Sequence, residues 1–219
     1  SSLKIVNNAE PKGIIEGTEC SGLGINVINV KDSISTLEIG KNVEVIGKKY
    51  GIELFAKNKE DSIAALKVYG TVKSVDGFAI SGNGKYDGAD IYIYDGANII
   101  SENDTAIYLP QYGTTTINGG TITGKTAIGI KSGNLYINGG TFTATGEKVS
   151  LPSATYNGMD PTGDVIFVEA NASYPEGTQI YVNGGSFEFG ANVITRGEIL
   201  RILKEKNDSQ EPSIYGIEP

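Results

Sequence analysis

Short apolar phrases, separated by glycine-bearing turns, make up most of this chain. Within each phrase apolar residues alternate with polar or small ones, which is the period of a half-buried β-strand. One phrase is written twice in nearly the same words, as INGGTIT at 117–123 and as INGGTFT at 137–143. Internal repeats of this kind indicate the architecture of the whole chain.

Seven phrases align on the apolar residue that precedes the first turn. These anchor residues are Ile5, Ile39, Val68, Ile93, Ile117, Ile137 and Val182. After the turn comes a second apolar phrase, represented by Val43, Val72, Ile99, Ile122, Phe142 and Phe187. A third phrase follows another turn, at 24–27, 51–54, 77–80, 106–109, 127–130 and 166–168. The chain therefore repeats a unit of three short strands.

Two folds could produce this pattern. Asn-Gly between alternating strands also favours a β-hairpin, as in an antiparallel sandwich. A hairpin meander gives no reason for the same three-phrase unit to restart again and again, whereas a solenoid does, because equivalent residues of its coils form columns. We therefore predict an all-β fold, a single-stranded parallel β-helix of about seven coils.

The predicted unit, with an Asn after its first strand, resembles the right-handed parallel β-helix of the pectin-lyase-like superfamily. The resemblance covers roughly residues 1–196 and is sharpest over 89–143 and 178–190. The NGGT wording also resembles repeats of large bacterial cell-surface proteins. In the superfamily an inward-turned Asn column often forms hydrogen bonds along the stack, and the resemblance implies such a ladder for Asn118, Asn138 and Asn183. The matching positions of three earlier coils hold other residues, Gly40, Tyr69 and Tyr94.

The whole chain, 1–219, is interpreted as one domain, which its 219 residues suit. Coils are expected over about 1–196, with an insertion at 144–163 that should protrude and be cut first by a protease. In GEILRILKEK, at 197–206, the apolar residues fall on one side of a helix. We therefore predict that 197–219 form a short helical cap over the open end of the stack, where an uncovered coil would leave unpaired strand edges.

Composition and charge exclude some partners. The formal net charge of −8 makes nucleic-acid binding a poor prediction, since an acidic surface repels phosphate backbones. No apolar run approaches the ~20 residues needed to span a bilayer. The first ten residues lack the basic and apolar regions of a signal peptide. An extracellular or cell-surface location is implied only by the resemblance.

The first specific alternative is an enzyme, because the pectin-lyase-like superfamily that the chain resembles includes polysaccharide lyases and glycoside hydrolases. The chain has no His, and its arginines, Arg196 and Arg201, both fall near the C-terminal end. No two carboxylates are predicted to converge on neighbouring coils, as glycoside hydrolysis requires. Calcium is the one cofactor considered, with oxygen ligands from Asn83, Asp87 and Asp90, although the spacing fits no known loop and a polar turn explains it as well.

A binding surface is the remaining hypothesis. The residues preceding the last four anchors, Tyr92, Thr116, Tyr136 and Tyr181, must point outward if the anchors point inward. They would form one column, and its aromatic rings could stack against the sugar rings of a glycan. Tyr is also simply a good strand former. The predicted function is a noncatalytic extracellular module of a bacterial surface protein, serving as spacer, adhesin or glycan-contact domain, and the alternative is a polysaccharide-processing enzyme.

Overall fold

The chain folds as a parallel β-helix. The structure, a computed structural model, describes residues 2–17, 23–29, 33–56, 62–82, 88–147, 160–168, 178–189, 192–194 and 214–215. These residues form three sheets, and the chain visits the first, second and third sheet in turn before starting the next coil. All strand pairs but one are parallel in the part that the structure describes. The predicted all-β solenoid is confirmed.

The first sheet carries the anchor phrases. Among the described residues it has eight strands, each paired with the strand one coil away. They are β1 (Ser2–Ile5), β4 (Ser33–Ile39), β7 (Ser62–Val68), β10 (Ala89–Ile93), β13 (Thr114–Ile117), β16 (Gly133–Ile137), β19 (Thr178–Val182) and β22 (Ile214–Tyr215). All seven anchors stand in one register along this sheet.

The second sheet carries the phrases after the first turn. Its strands are β2 (Gly13–Gly17), β5 (Val43–Gly47), β8 (Thr71–Ser74), β11 (Asn98–Ser101), β14 (Thr121–Gly124), β17 (Thr141–Ala144), β20 (Ser186–Phe189) and β21 (Asn192–Ile194). The last of these turns back and pairs antiparallel with β20. The column that contains Val72 and Phe142 continues through Val45 rather than through Val43, which lies two residues earlier and is also buried.

The third sheet closes the tube. Its strands are β3 (Leu23–Asn29), β6 (Tyr50–Ala56), β9 (Ile80–Gly82), β12 (Thr105–Leu109), β15 (Thr126–Ile130) and β18 (Ile166–Val168). Every predicted third phrase overlaps one of these strands. One inward column of this sheet is made of isoleucines throughout, Ile25, Ile52, Ile80, Ile107, Ile128 and Ile166.

One continuous apolar core fills the tube. The anchors from Ile39 to Val182 are fully buried in it, together with the inward columns of the other two sheets. Each coil contributes apolar side chains from all three sheets to the same core. A smaller aromatic cluster lies outside the tube, where Phe78 contacts Tyr50 and Tyr108 on the outer side of the third sheet.

The repeated Asn-Gly-Gly has a backbone cause. Its second glycine has a positive φ in all three copies, for example +87° at Gly120 and +102° at Gly140, a conformation that other residues rarely adopt. Its first glycine lies against the preceding coil, since a Cβ at Gly139 would stand 2.8 Å from the carbonyl oxygen of Asn118. The two glycines therefore let the turn bend and let the coils stack closely.

The two predicted irregular segments are described only in part. Residues 148–159 and 195–213 lie outside the described residues, and with them the core of the insertion and of the helical cap. The described ends of the insertion lie on the stack, because Ala144 completes β17 and Thr162 is buried beside Thr126. Within the predicted cap, Ile214–Tyr215 is not helical but forms β22, which pairs in parallel with β19.

Candidate functional site

The predicted column precedes the anchors and lies on the outer face of the first sheet. Tyr92, Thr116, Tyr136 and Tyr181 stand in register on four successive coils, and each is partly exposed. Tyr92 and Tyr136 are separated by the Thr116 coil, which at ~4.8 Å per coil places them ~10 Å apart. We call these four residues the tyrosine column.

The outward position of these residues suggested that each ring would be separately available to a ligand. Two of the rings instead pack on each other. Tyr136 and Tyr181 are stacked face to face, with centroids 4.5 Å apart and planes 2° from parallel. Each ring therefore covers one face of the other. The second face of Tyr136 looks along the stack toward Thr116, whose side chain is small, so a gap separates the faces of Tyr136 and Tyr92. The phenol O–H of Tyr181 donates a hydrogen bond to Gln179 Oε1, with the two oxygens 3.1 Å apart.

A second column lies beside it, at the turn after each strand of the first sheet. Its members are Val6, Gly40, Tyr69, Tyr94, Asn118, Asn138 and Asn183. Asn138 Nδ2 donates to Asn118 Oδ1 at 2.9 Å, and Asn183 Nδ2 donates to Asn138 Oδ1 at 2.9 Å. All three asparagines are exposed to solvent. The prediction that they turn inward is wrong, because the inward positions are taken by the anchors and the turn carries its side chains outward.

Because the asparagines are exposed, we expect the ladder to contribute little to stability. Asn138→Ala removes both ladder hydrogen bonds, but water can replace an exposed partner, so we expect a loss of only about 0.5–1 kcal/mol. Asn183→Ala removes one of the two bonds and should cost about half as much. Urea unfolding of both variants measures the difference. A loss above about 2 kcal/mol in Asn138→Ala would show that the amides are held away from water.

A cleft of about 490 Å³ opens at the N-terminal end of these columns. Its lining includes Lys4, Glu38, Gly40, Lys41, Asn42 and Tyr69. Tyr69 is stacked on Tyr94, with centroids 4.3 Å apart and planes 7° from parallel. We call it the turn cleft. The feature of the sequence that marks the turn cleft is a glycine one coil before two tyrosines in the turn column.

The phenols of this surface keep their protons. Burial raises the pKa of Tyr69 above its ordinary value, and the neighbouring Tyr94 and Glu38 raise it further. Burial also raises the pKa of Tyr92, with Asp90 and Tyr94 acting in the same direction. Both phenols are therefore neutral at physiological pH, and their O–H groups can donate to a polar ligand.

Of the three predicted calcium ligands, the structure describes only Asp90. Asn83 and Asp87 lie outside the described residues. Asp90 Oδ1 accepts a hydrogen bond from the backbone N–H of Thr114 at 2.9 Å, so it ties two coils together. Across the described ranges no group of three or more His, Cys, Asp or Glu side chains is placed to hold a metal ion.

One carboxyl group titrates near neutrality. Asp104 lies in the turn between β11 and β12, and burial raises its pKa to about 6. The backbone N–H of Thr105, which donates to Asp104 Oδ1 at 2.7 Å, opposes this shift, while Asp160 adds to it and Lys125 lowers it. Sequence reasoning missed this residue because nothing in the local motif marks it as buried.

The raised pKa of Asp104 predicts a pH dependence of stability. The folded state binds a proton more tightly than the unfolded state, so the carboxyl group favours folding fully below about pH 4 and loses that contribution as the pH rises through about 6. Asp104→Asn should therefore be more stable than the parent by about 1 kcal/mol near pH 8 after allowing for solvent screening, and equal to it near pH 4. Urea unfolding at both pH values measures this. Asp76→Asn, at an exposed site, is the control, and an equal response of both variants would contradict the assignment.

Comparison of the chain with models of known protein families, with curated protein sequences and with solved structures gives no match. In the part of the chain that the structure describes, no helix is long and apolar enough to cross a membrane.

Proposed function

We propose that this chain is a noncatalytic, extracellular glycan-contact module of a bacterial surface protein, and that the tyrosine column is its contact surface. The observation that carries the proposal is the register of Tyr92, Thr116, Tyr136 and Tyr181 on one exposed face. A β-helix suits the role because its outer face is long, straight and built on a rigid core.

The chemistry of the column suits sugars. The gap at Thr116 has an aromatic face on the Tyr136 side, and a pyranose ring could pack there through its C–H groups. Phenol and threonine hydroxyls border the gap and can exchange hydrogen bonds with sugar hydroxyls. Beyond the gap, the exposed amides of Asn118 and Asn138 offer further donors and acceptors at the coil spacing. A polymer laid along the stack would therefore meet similar polar contacts coil after coil.

The proposed location and origin rest on resemblance. Three short strands per coil and the Asn-Gly-Gly-Thr turns are similar to pectin-lyase-like β-helices and to repeats of large bacterial surface proteins. The acidic surface and the near absence of cysteine, with one in the chain, are compatible with that setting. In such a protein the module would also act as a spacer, since stacked coils hold a fixed length.

Calorimetric titration with cellohexaose, chitohexaose and a hexameric galacturonan tests the proposal. We expect at least one hexamer to bind, and Tyr136→Ala together with Tyr181→Ala to weaken it about tenfold or more, since stacked aromatic contacts contribute about 0.5–1.5 kcal/mol each. The matched control is Thr121→Ala with Thr141→Ala, on the outer face of the second sheet. Binding that survives the tyrosine pair unchanged would remove this face from consideration.

A polysaccharide lyase or hydrolase is the second candidate, and Asp104 is the observation that favours it. A carboxyl group with a pKa of about 6 is suited to general acid–base work. Asp104 lies between the second and third sheets, away from the tyrosine column. Cleavage of acidic polysaccharide, with and without calcium, that disappears in Asp104→Asn would establish the enzyme, and activity that persists in that variant would exclude this group as its acid.

A further inference from the structure

The turn cleft lies beside Gly40, the one member of the turn column that has no side chain. Gly40 sits between Val6 and Tyr69 on successive coils. A Cβ added at Gly40 would lie 3.0 Å from the carbonyl oxygen of Ile5 and 3.2 Å from Val6 Cγ1, so the position is closely fitted as glycine. Tyr94 covers one face of the Tyr69 ring, and Tyr69 also lines the cleft.

The cleft is positively charged within a negatively charged protein. Lys4 Nζ lies 2.6 Å from Glu38 Oε1, so these two charges balance each other. Lys41 is exposed and lines the same cleft, and no described carboxylate forms an ion pair with it. Two lysines and one glutamate leave a net charge of +1 in the cleft, whereas the whole chain carries −8. A local positive charge of this kind favours an anionic ligand.

Amide groups complete the lining. Asn42 and Asn8 both border the cleft, and each amide can donate two hydrogen bonds and accept two. The cleft thus combines one aromatic face, one free ammonium group and several amides. A flat ring that carries hydroxyls and a single negative charge matches all three.

We propose that the turn cleft binds the terminal sugar ring of a glycan through an anionic substituent, with the ring packed on Tyr69 and the anion beside Lys41. The inference rests on the proposed function in that the ligand is a glycan, but it uses residues outside the tyrosine column. Carboxylate and sulfate substituents share the chemistry that the cleft recognises. The cleft would fix one end of a chain whose remaining units lie along the exposed columns.

The test uses the full chain and small probes, so that only one subsite is occupied. The probes are methyl β-glucuronide, glucose 6-sulfate and, as the neutral counterpart, methyl β-glucoside, each followed by amide chemical-shift titration. We expect both anionic sugars to shift the amides of Gly40 and Tyr69 and to bind several-fold more tightly than the neutral one. Tyr69→Ala should weaken the anionic sugars about tenfold. Lys41→Gln should weaken them about threefold and remove the salt dependence.

The controls separate this inference from the proposed function. Lys48→Gln changes an exposed lysine that does not line the cleft, and it should leave glucuronide binding intact. Because Lys41 is exposed, its variant tests the inference even if Tyr69→Ala fails to fold. Equal binding of the neutral glucoside, equal shifts from sodium acetate or sulfate alone, or no binding of either anionic sugar would overturn the inference. Hexamer binding to the tyrosine column would still stand in each case.

Discussion

Ile117→Asp is expected to prevent folding. Ile117 is fully buried in the anchor column and stands between Ile93 and Ile137 on adjacent coils. A carboxylate there would have apolar side chains above, below and across the tube, with no partner for its charge. Burying an unpaired charge costs several kcal/mol, which is comparable with the total stability of about 5–15 kcal/mol of an ordinary domain.

Thr116→Asp is the matched control, because the adjacent residue points to the outer face. Circular dichroism and urea unfolding of the two variants should show a cooperatively folded protein for Thr116→Asp and none for Ile117→Asp. Protonation could rescue the buried acid, so the comparison belongs at neutral pH. A folded Ile117→Asp protein with native stability would contradict the assignment of the anchors to the core.

Phe142→Ala is expected to give the largest loss among variants that still fold. Phe142 is fully buried in the second sheet's inward column and stacks on Phe187 with centroids 5.1 Å apart. Removing the ring leaves a cavity between two coils, and substitutions of this kind cost about 3–5 kcal/mol. The neighbouring coils cannot collapse into the space because their backbones are fixed by ladder hydrogen bonds on both sides.

Two further variants, also measured by urea unfolding, serve as comparisons for Phe142→Ala. Phe142→Leu keeps most of the apolar volume and should cost clearly less than the alanine variant. Thr141→Ala changes the outward neighbour and should stay within about 0.5 kcal/mol of the parent. A loss below about 1 kcal/mol in Phe142→Ala would mean that the column is loosely packed or faces solvent.

The sequence predicted the register of the fold well because the same residue recurs at the same place in each coil. Ile117 and Ile137 lie in nearly identical sequences, and less similar repeats, such as the one that contains Val68, could be aligned with them. Stacking then follows, because a parallel β-helix places equivalent residues one above another. The error at Val43 has a simple cause: Val43 and Val45 both alternate inward in one strand, and the pattern cannot say which of them faces Val72.

The surface was harder to predict, since the direction of a turn side chain depends on backbone angles that the pattern does not report. The Asn ladder was predicted at the right residues, but its side chains were expected inside the tube and lie outside it. The ring orientation of Tyr136 and Tyr181 depends on how the two side chains pack on each other, and the turn cleft is formed by residues of three different coils. Asp104 owes its raised pKa to burial, which the local sequence does not report.

We propose that the tyrosine column is the glycan-contact surface. Amide chemical-shift mapping of the full chain with the tightest-binding hexamer tests it most directly. We expect the shifts to concentrate on Tyr92, Thr116, Tyr136 and Tyr181 and on the adjacent turn amides of Asn118 and Asn138. Shifts confined to the outer faces of the second or third sheet would contradict it.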